Sequence, residues 1–181
     1  MSEAQIIEGC RRGDRVAQRE LVQRYSSVLL TVARRYTADQ PTAQDLLQDS
    51  LVKALQSIDS FQARGTFLAW LRRIVINRAL QRLDKRSVQR ELTGLETMPE
   101  RSVEPVALDR LQEEDLLGLI QKLAPGLRTV FNLHAIEGYK HTEIAHMLQL
   151  SESGVRAQYS RARVQLQQAI IKLQNQHSHV G

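Results

Sequence analysis

Apolar side chains recur at three- and four-residue intervals along most of this chain, and little interrupts them. In the segment 14–36, Leu21, Tyr25, Val28, Leu29 and Val32 share one side of a helical period and form its expected buried stripe. Nine glycines and four prolines punctuate 181 residues, which favours helices over a turn-rich β architecture. The spacing predicts helices over 14–36, capped by Asp14, and over 43–58, capped by Thr42. Others are expected over 67–86, 108–123, 125–137, 142–148 and 152–174, with Pro125 opening its helix and Gly138 just past the end. Between 87 and 109 the period fades, and Gly94, Pro99 and Pro105 interrupt an acid-rich stretch. The expected fold is all-α: a helical domain at 1–86, an acidic linker at 87–109, a second helical domain at 110–175 and a tail at 176–181.

Charge is distributed unevenly over that plan. Residues 1–60 balance at zero, 61–90 carry +7, 91–118 carry −6 and 119–181 carry +4. Two basic blocks separated by an acidic one suggest two polyanion-facing modules and a connector of opposite sign. The lone cysteine, Cys10, rules out an internal disulfide and fits a reducing compartment. No apolar run approaches the roughly 20 residues of a membrane span, and the N-terminus lacks a signal peptide's apolar core. A cytoplasmic protein without membrane insertion is expected.

The stretch HTEIAHMLQLSESGVRAQYSRARVQL carries the most specific pattern. Ile144 and Ala145 lie on one helix, Leu150 follows a tight turn, and Val155 opens the buried face of the next helix. A small residue at 145 lets two helices cross closely, the spacing of a helix-turn-helix whose second helix enters the major groove. Ser151 suits the N-cap of that helix. Val155, Tyr159, Ala162 and Leu166 should pack inward, leaving Ser153, Arg156, Ala157, Ser160 and Arg161 outward. Arg156 and Arg161 can fork onto guanine or grip a phosphate, while Arg163 lies nearer the edge, as a backbone clamp. Gln149 stands where such turns usually place glycine, and the helix at 142 starts without a strong cap.

FLAWLRRIVINRALQRLDKR sets Arg72, Arg73, Arg78, Arg82, Lys85 and Arg86 against the single acid Asp84. Ile76, Ala79, Leu80 and Leu83 are expected to be buried, with Asn77, Arg78, Gln81, Arg82 and Lys85 opposite them. Bases attract phosphate, and the amides offer donors and acceptors to base edges. The preceding loop adds Gln62 and Arg64 beside Phe61 and Phe67, groups suited to receiving an unstacked base. Phe67 and Trp70 themselves read as core. In AQDLLQDSLVKALQSI the outward side is different: Asp45, Gln48, Asp49, Val52 and Gln56 suit a basic protein partner, although a merely solvated face serves the pattern equally.

AQDLLQDSLVKAL, FLAWLRRIVINRA and EIAHMLQLSESGVRAQYSRAR, in that order, resemble the extracytoplasmic-function group of bacterial sigma factors, with the likeness extending over 13–170. The resemblance implies a sigma factor that binds core RNA polymerase and directs initiation at promoter DNA. Asp45, Gln48, Asp49, Val52 and Gln56 would then dock on the clamp helices of the largest polymerase subunit. Gln62, Arg64, Arg73, Asn77, Arg78, Gln81, Arg82 and Lys85 would melt and read the minus-ten element. Ser153, Arg156, Ala157, Ser160, Arg161 and Arg163 would read the minus-thirty-five element. The linker would enter the channels for template and nascent RNA, and the free protein would be masked internally or by an anti-sigma factor. It would associate with the nucleoid when bound to polymerase. Gln18 stands where an aromatic is common, and Ala157 and Ser160 are small at base-reading positions.

Two rival classes fare worse. The histidines at 134, 141, 146, 177 and 179 form no metal-binding spacing with acids or the cysteine, and no glycine-rich phosphate loop exists. Neither an enzyme nor a metal or other cofactor is expected. A helix-turn-helix regulator acting without polymerase would leave the faces of Asp45 and Asn77 unexplained.

Overall fold

The computed structural model describes residues 1–83 and 113–178, the last three by backbone alone. All regular elements among the described residues are helical, as expected, and the chain divides into two compact units, Met1–Arg82 and Leu83–Gly181. Lys85, Arg86 and the acidic stretch 87–109 lie outside the described residues.

The first unit contains α1 (Glu3–Arg11), α2 (Arg15–Tyr36), α3 (Gln40–Gln56) and α4 (Phe67–Arg82), with a 3-10 turn at Ile58–Ser60. The periodicity reading begins at residue 14 and misses α1. That helix is nucleated by a capping box: the Gln5 amide donates to Ser2 Oγ at 3.2 Å, and the Ser2 amide to Gln5 Oε1 at 2.7 Å. Asp14 caps α2 as expected, its Oδ1 accepting from the Val16 amide at 2.8 Å. Leu21, Tyr25, Leu29 and Val32 are buried, but Val28 is exposed; Ala17, Ala33 and Tyr36 complete the inward side instead.

Asp39 rather than Thr42 caps α3. Its Oδ1 accepts the Thr42 amide at 2.8 Å, so the helix starts at Gln40 with Pro41 in its first turn. A proline there sacrifices a donor that the helix would not have used, which is why TADQPT begins a helix rather than merely breaking the chain. On α4 the inward stripe is Phe67, Leu71, Val75 and Ile76, while Ala79, Leu80 and Leu83 are half-buried. The expected stripe lies too close to the C-terminus because it omits the two most deeply buried turns.

Aromatic packing ties these helices together. Phe67 is wholly buried, edge-on to Tyr25 at 5.6 Å and to Phe61 at 5.1 Å, with Trp70 stacked on it at 5.5 Å. The reading of Phe67 as core holds. Tyr25 Oη donates to Glu3 Oε2 at 2.7 Å, and Arg11 Nη2 donates to the Phe61 carbonyl at 2.9 Å, so α1 grips both α2 and the loop before α4. Burial, followed by the hydrogen bond to Glu3, pushes the Tyr25 phenol up to about 12. Burial, then Asp14, also pushes the Cys10 thiol up, which disfavours the reactive thiolate.

The second unit contains α5 (Glu113–Gln121), α6 (Pro125–Phe131), α7 (His141–Leu148) and α8 (Glu152–Ser178). Pro125 opens α6, but the helix does not run smoothly to 137: it widens into a π turn at Asn132–Ile136 before Gly138, whose φ of +79° closes the turn. Leu119, Ile120, Leu123 and Leu127 pack against Ala162, Leu166 and Ile170 of α8. Arg128 is also buried; its Nη1 donates to the Gln121 carbonyl at 2.7 Å and so satisfies the end of α5.

Gly9 lets α1 approach α2 closely, because a β-carbon built on it would lie 2.4 Å from Ala17 Cβ. Gly9→Ala should therefore overpack this crossing and cost about 1–3 kcal/mol, read as a lowered urea midpoint with the slope unchanged.

Candidate nucleic-acid interfaces

The helix-turn-helix forms as its spacing demands. Ile144 and Val155 are wholly buried, with Ala145 and Leu148 beside them, so α7 and α8 meet through small and branched side chains. Leu150 is half-buried. Gln149 occupies the left-handed region at φ 58°, ψ 44°, and a side chain there costs about 1 kcal/mol relative to glycine. Ser151 caps α8, its Oγ accepting the Gly154 amide at 3.0 Å. The weak start of α7 is repaired from within: Glu143 Oε2 accepts the Lys140 amide at 2.7 Å.

On α8, Ser153 and Arg156 are exposed at the N-terminal end, with Arg156 bonded to Glu152 one turn earlier. Ala157, Ser160 and Arg161 are half-buried, and Arg163 is exposed with its guanidinium 5.8 Å from the centre of the Tyr159 ring. Val155, Ala162 and Leu166 are buried as expected, but Tyr159 is only half-buried. The residue between them that sequence missed is Gln158, an amide with no exposed surface; its polarity gave no signal of burial.

The loop 61–66 holds Gln62 and Arg64 exposed on either side of Ala63, which has a left-handed φ of 52°. Thr66 Oγ1 accepts the Ala69 amide at 3.2 Å and starts α4. On α4 the expected single basic face divides in two. Arg73, Asn77 and Gln81 lie four residues apart and are all exposed. Arg78 and Arg82 instead turn toward α3, where both meet the carboxylate of Asp49; Arg78 Nη2 lies 3.7 Å from Oδ2. Arg78 Nη1 also donates to Gln81 Oε1 at 3.0 Å. On α3, Asp45, Gln48 and Gln56 are exposed and Val52 is 54 % exposed, whereas Asp49 is half-buried. Nothing in linear spacing announces a pairing across 33 residues; it requires α3 to lie against α4.

A second cluster lies beneath the helix-turn-helix. His134 and His141 stack with ring centres 4.1 Å apart, and the Tyr159 ring stands edge-on to His134 at 4.5 Å. His134 Nδ1 donates to the Tyr139 carbonyl at 2.8 Å. The Nε2 of His141 is buried without a hydrogen-bond partner among the described residues. Burial, then His134 and Arg156, pushes the His141 imidazole below the usual histidine range, against a smaller opposing pull from Glu152. No group of three or more metal-ligating side chains gathers among the described residues. No described helix is long and apolar enough to cross a membrane.

Comparison with known proteins matches the two units in sequence. The Sigma-70 region 2 family matches residues 21–88, and the Sigma-70 region 4 family matches 113–166. The chain is 29% identical to the RNA polymerase sigma-H factor of Pseudomonas aeruginosa, over 92% of each protein. It is 30% identical to the ECF RNA polymerase sigma factor SigM of Mycobacterium tuberculosis, over 91% of this chain and 83% of that one. Among solved structures, the sigma factor RpoE of Bartonella quintana, crystallised with the anti-sigma factor NepR, shares the fold with a TM-score of 0.52 and 24% identity. That match covers 84% of this chain and 95% of RpoE.

The cluster at His141 sets a pH dependence. Because the folded state disfavours the imidazolium, the unfolded chain takes up a proton more readily once pH falls below about 6.5. The His141 contribution to stability is full above that pH and is lost as pH falls through the folded value. His141→Gln should flatten the decline of the second unit's thermal midpoint between pH 7 and 5, and a decline as steep as that of the parent protein would refute the assignment.

Proposed function

The chain belongs to the extracytoplasmic-function group of the sigma-70 family, and from that membership we propose how its surfaces divide the work of initiation. It is a promoter-recognising sigma factor of RNA polymerase. In our reading, the α3 face of Asp45, Gln48, Asp49, Val52 and Gln56 docks on core polymerase. The loop carrying Gln62 and Arg64, with Arg73, Asn77, Arg78, Gln81, Arg82 and Lys85, engages the minus-ten element. The start of α8, with Ser153, Arg156, Ala157, Ser160 and Arg161, engages the minus-thirty-five element, and Arg163 clamps the backbone. Residues 87–109 connect the two modules, within the division 1–86, 87–109, 110–175 and 176–181.

The observation that carries this reading is the exposed line Arg73–Asn77–Gln81 on one unit together with exposed Arg156 on the other, each within a matched sigma-70 segment. Cations for phosphates and amides for base edges stand together on α4, and a capped helix presents its N-terminal turn on the other unit. A regulator that bound DNA alone would have no use for the region 2 unit. Sigma factors are transcription initiation factors rather than enzymes, and we assign no reaction and no cofactor. By analogy with RpoE, whose crystal partner is an anti-sigma factor, a protein inhibitor is the natural regulator of this chain. Its place of action is the cytoplasm, at the nucleoid once polymerase is bound.

Reconstitution with sigma-free core polymerase tests the assignment by run-off transcription on genomic fragments, where promoter-specific products are expected. Asp45→Arg should weaken core binding in a pull-down while helical content stays unchanged; undiminished affinity would remove α3 from the docking surface. Arg156→Ala should lose about 1–3 kcal/mol of discrimination at the upstream element if it contacts a base. An equal loss on all sequences would make it a phosphate clamp instead.

A further inference from the structure

Asp49 stands on α3 among the residues assigned to polymerase, yet its carboxylate is occupied by α4. Arg82 Nη2 bonds Oδ2, and Arg78 Nη2 lies 3.7 Å from the same oxygen. Arg82 Nη2 also reaches the Asp45 carbonyl at 3.4 Å, so the guanidinium lies along α3 rather than projecting from α4. Two cations assigned to phosphates thus neutralise one anion assigned to a basic protein surface. The side chains are 46 % exposed at Asp49, 36 % at Arg78 and 38 % at Arg82. Ion pairs this open to water are weak and readily exchanged for a competing partner.

We propose that Asp49 is a positioning residue that couples the two surfaces, holding Arg78 and Arg82 against α3 in the free protein and surrendering them when a basic partner takes its carboxylate. The proposal rests on the surface assignments above and adds a linkage between them. A lysine or arginine of the docked polymerase that pairs with Asp49 frees two guanidinium groups beside the exposed line Arg73–Asn77–Gln81. Reciprocity follows: phosphate contacts at Arg78 and Arg82 leave Asp49 available, so DNA strengthens docking by the same factor that docking strengthens DNA binding. Asp45, an exposed carboxylate on the same helix face, meets Arg82 through its backbone carbonyl rather than its side chain, and is the natural control.

The test uses the full-length chain without polymerase and a fluorescein-labelled mixed-sequence single-stranded oligonucleotide, followed by anisotropy across a salt series. Asp49→Asn and Asp45→Asn remove the same charge. Asp49→Asn should bind several-fold more tightly than Asp45→Asn, with a salt slope steeper by about 1.4, from two added phosphate contacts at about 0.7 each. Adding Arg78→Ala and Arg82→Ala to Asp49→Asn should abolish that gain. Equal affinities and slopes for the two aspartate variants would overturn the coupling. The surface assignment is judged separately, by promoter opening with reconstituted holoenzyme carrying Arg78→Ala and Arg82→Ala. Undiminished opening refutes the DNA role of these arginines, and the proposal with it; diminished opening with matching aspartate variants refutes the coupling alone.

Discussion

Burial of the Phe67 ring is the constraint on which the first unit is arranged. It is the first residue of α4, touches Tyr25 of α2, and packs with Phe61 and Trp70 in a three-ring cluster. Aromatic pairs of this kind add to the area they bury by about 0.5–1.5 kcal/mol each, and their geometry is directional. The loop 61–66 is consequently pinned at both ends: Phe61 and Phe67 are locked in one cluster, and Arg11 holds the Phe61 carbonyl. Gln62 and Arg64 are presented to solvent between two rings, Phe61 and Phe67, that are held in the cluster.

Electrostatics acts at a second level, choosing among exposed groups rather than building the core. On α4 the helical period alone cannot separate Arg78 and Arg82 from Asn77 and Gln81; the carboxylate on α3 does so. On α8, Arg156 is steadied by Glu152 and Arg163 by the Tyr159 ring. Arg78, Arg82, Arg156 and Arg163 thus each have a resting place with which a bound anion would have to compete. The resting places are weak, which keeps the competition easy and makes orientation, more than charge count, the difference between the two helices.

Much of this architecture was legible from residue spacing. The helix-turn-helix, the cap at Ser151 and the strained backbone at Gln149 each follow from local rules, since they depend on neighbours three or four residues away. The inward order of Phe67, Leu71 and Val75 is likewise present in the period, although Leu80 and Leu83 imitate it without being fully buried. Errors arise where two local rules compete. Asp39 and Thr42 are both good caps, and the proline between them decides for the earlier one. α1 escapes the period because its buried side is only Ile6, Gly9 and Cys10, too narrow to register as a stripe. Contacts such as Asp49 with Arg82, or His134 with His141, depend on packing between separate helices, and no single-chain period encodes them.

The unbroken run of α8 has a mechanical consequence. It extends for 27 residues, about 40 Å, and its outer turns present Ser153 and Arg156 while Ala162, Leu166 and Ile170 are embedded in the hydrophobic cluster. Between Gly154 and the end of the helix at Ser178 there is neither glycine nor proline, so the rod has no hinge in which to absorb a bend. A small pivot imposed at the embedded end therefore arrives at the tip as a sideways sweep, and anything that grasps the far end of this rod can steer its point without touching it.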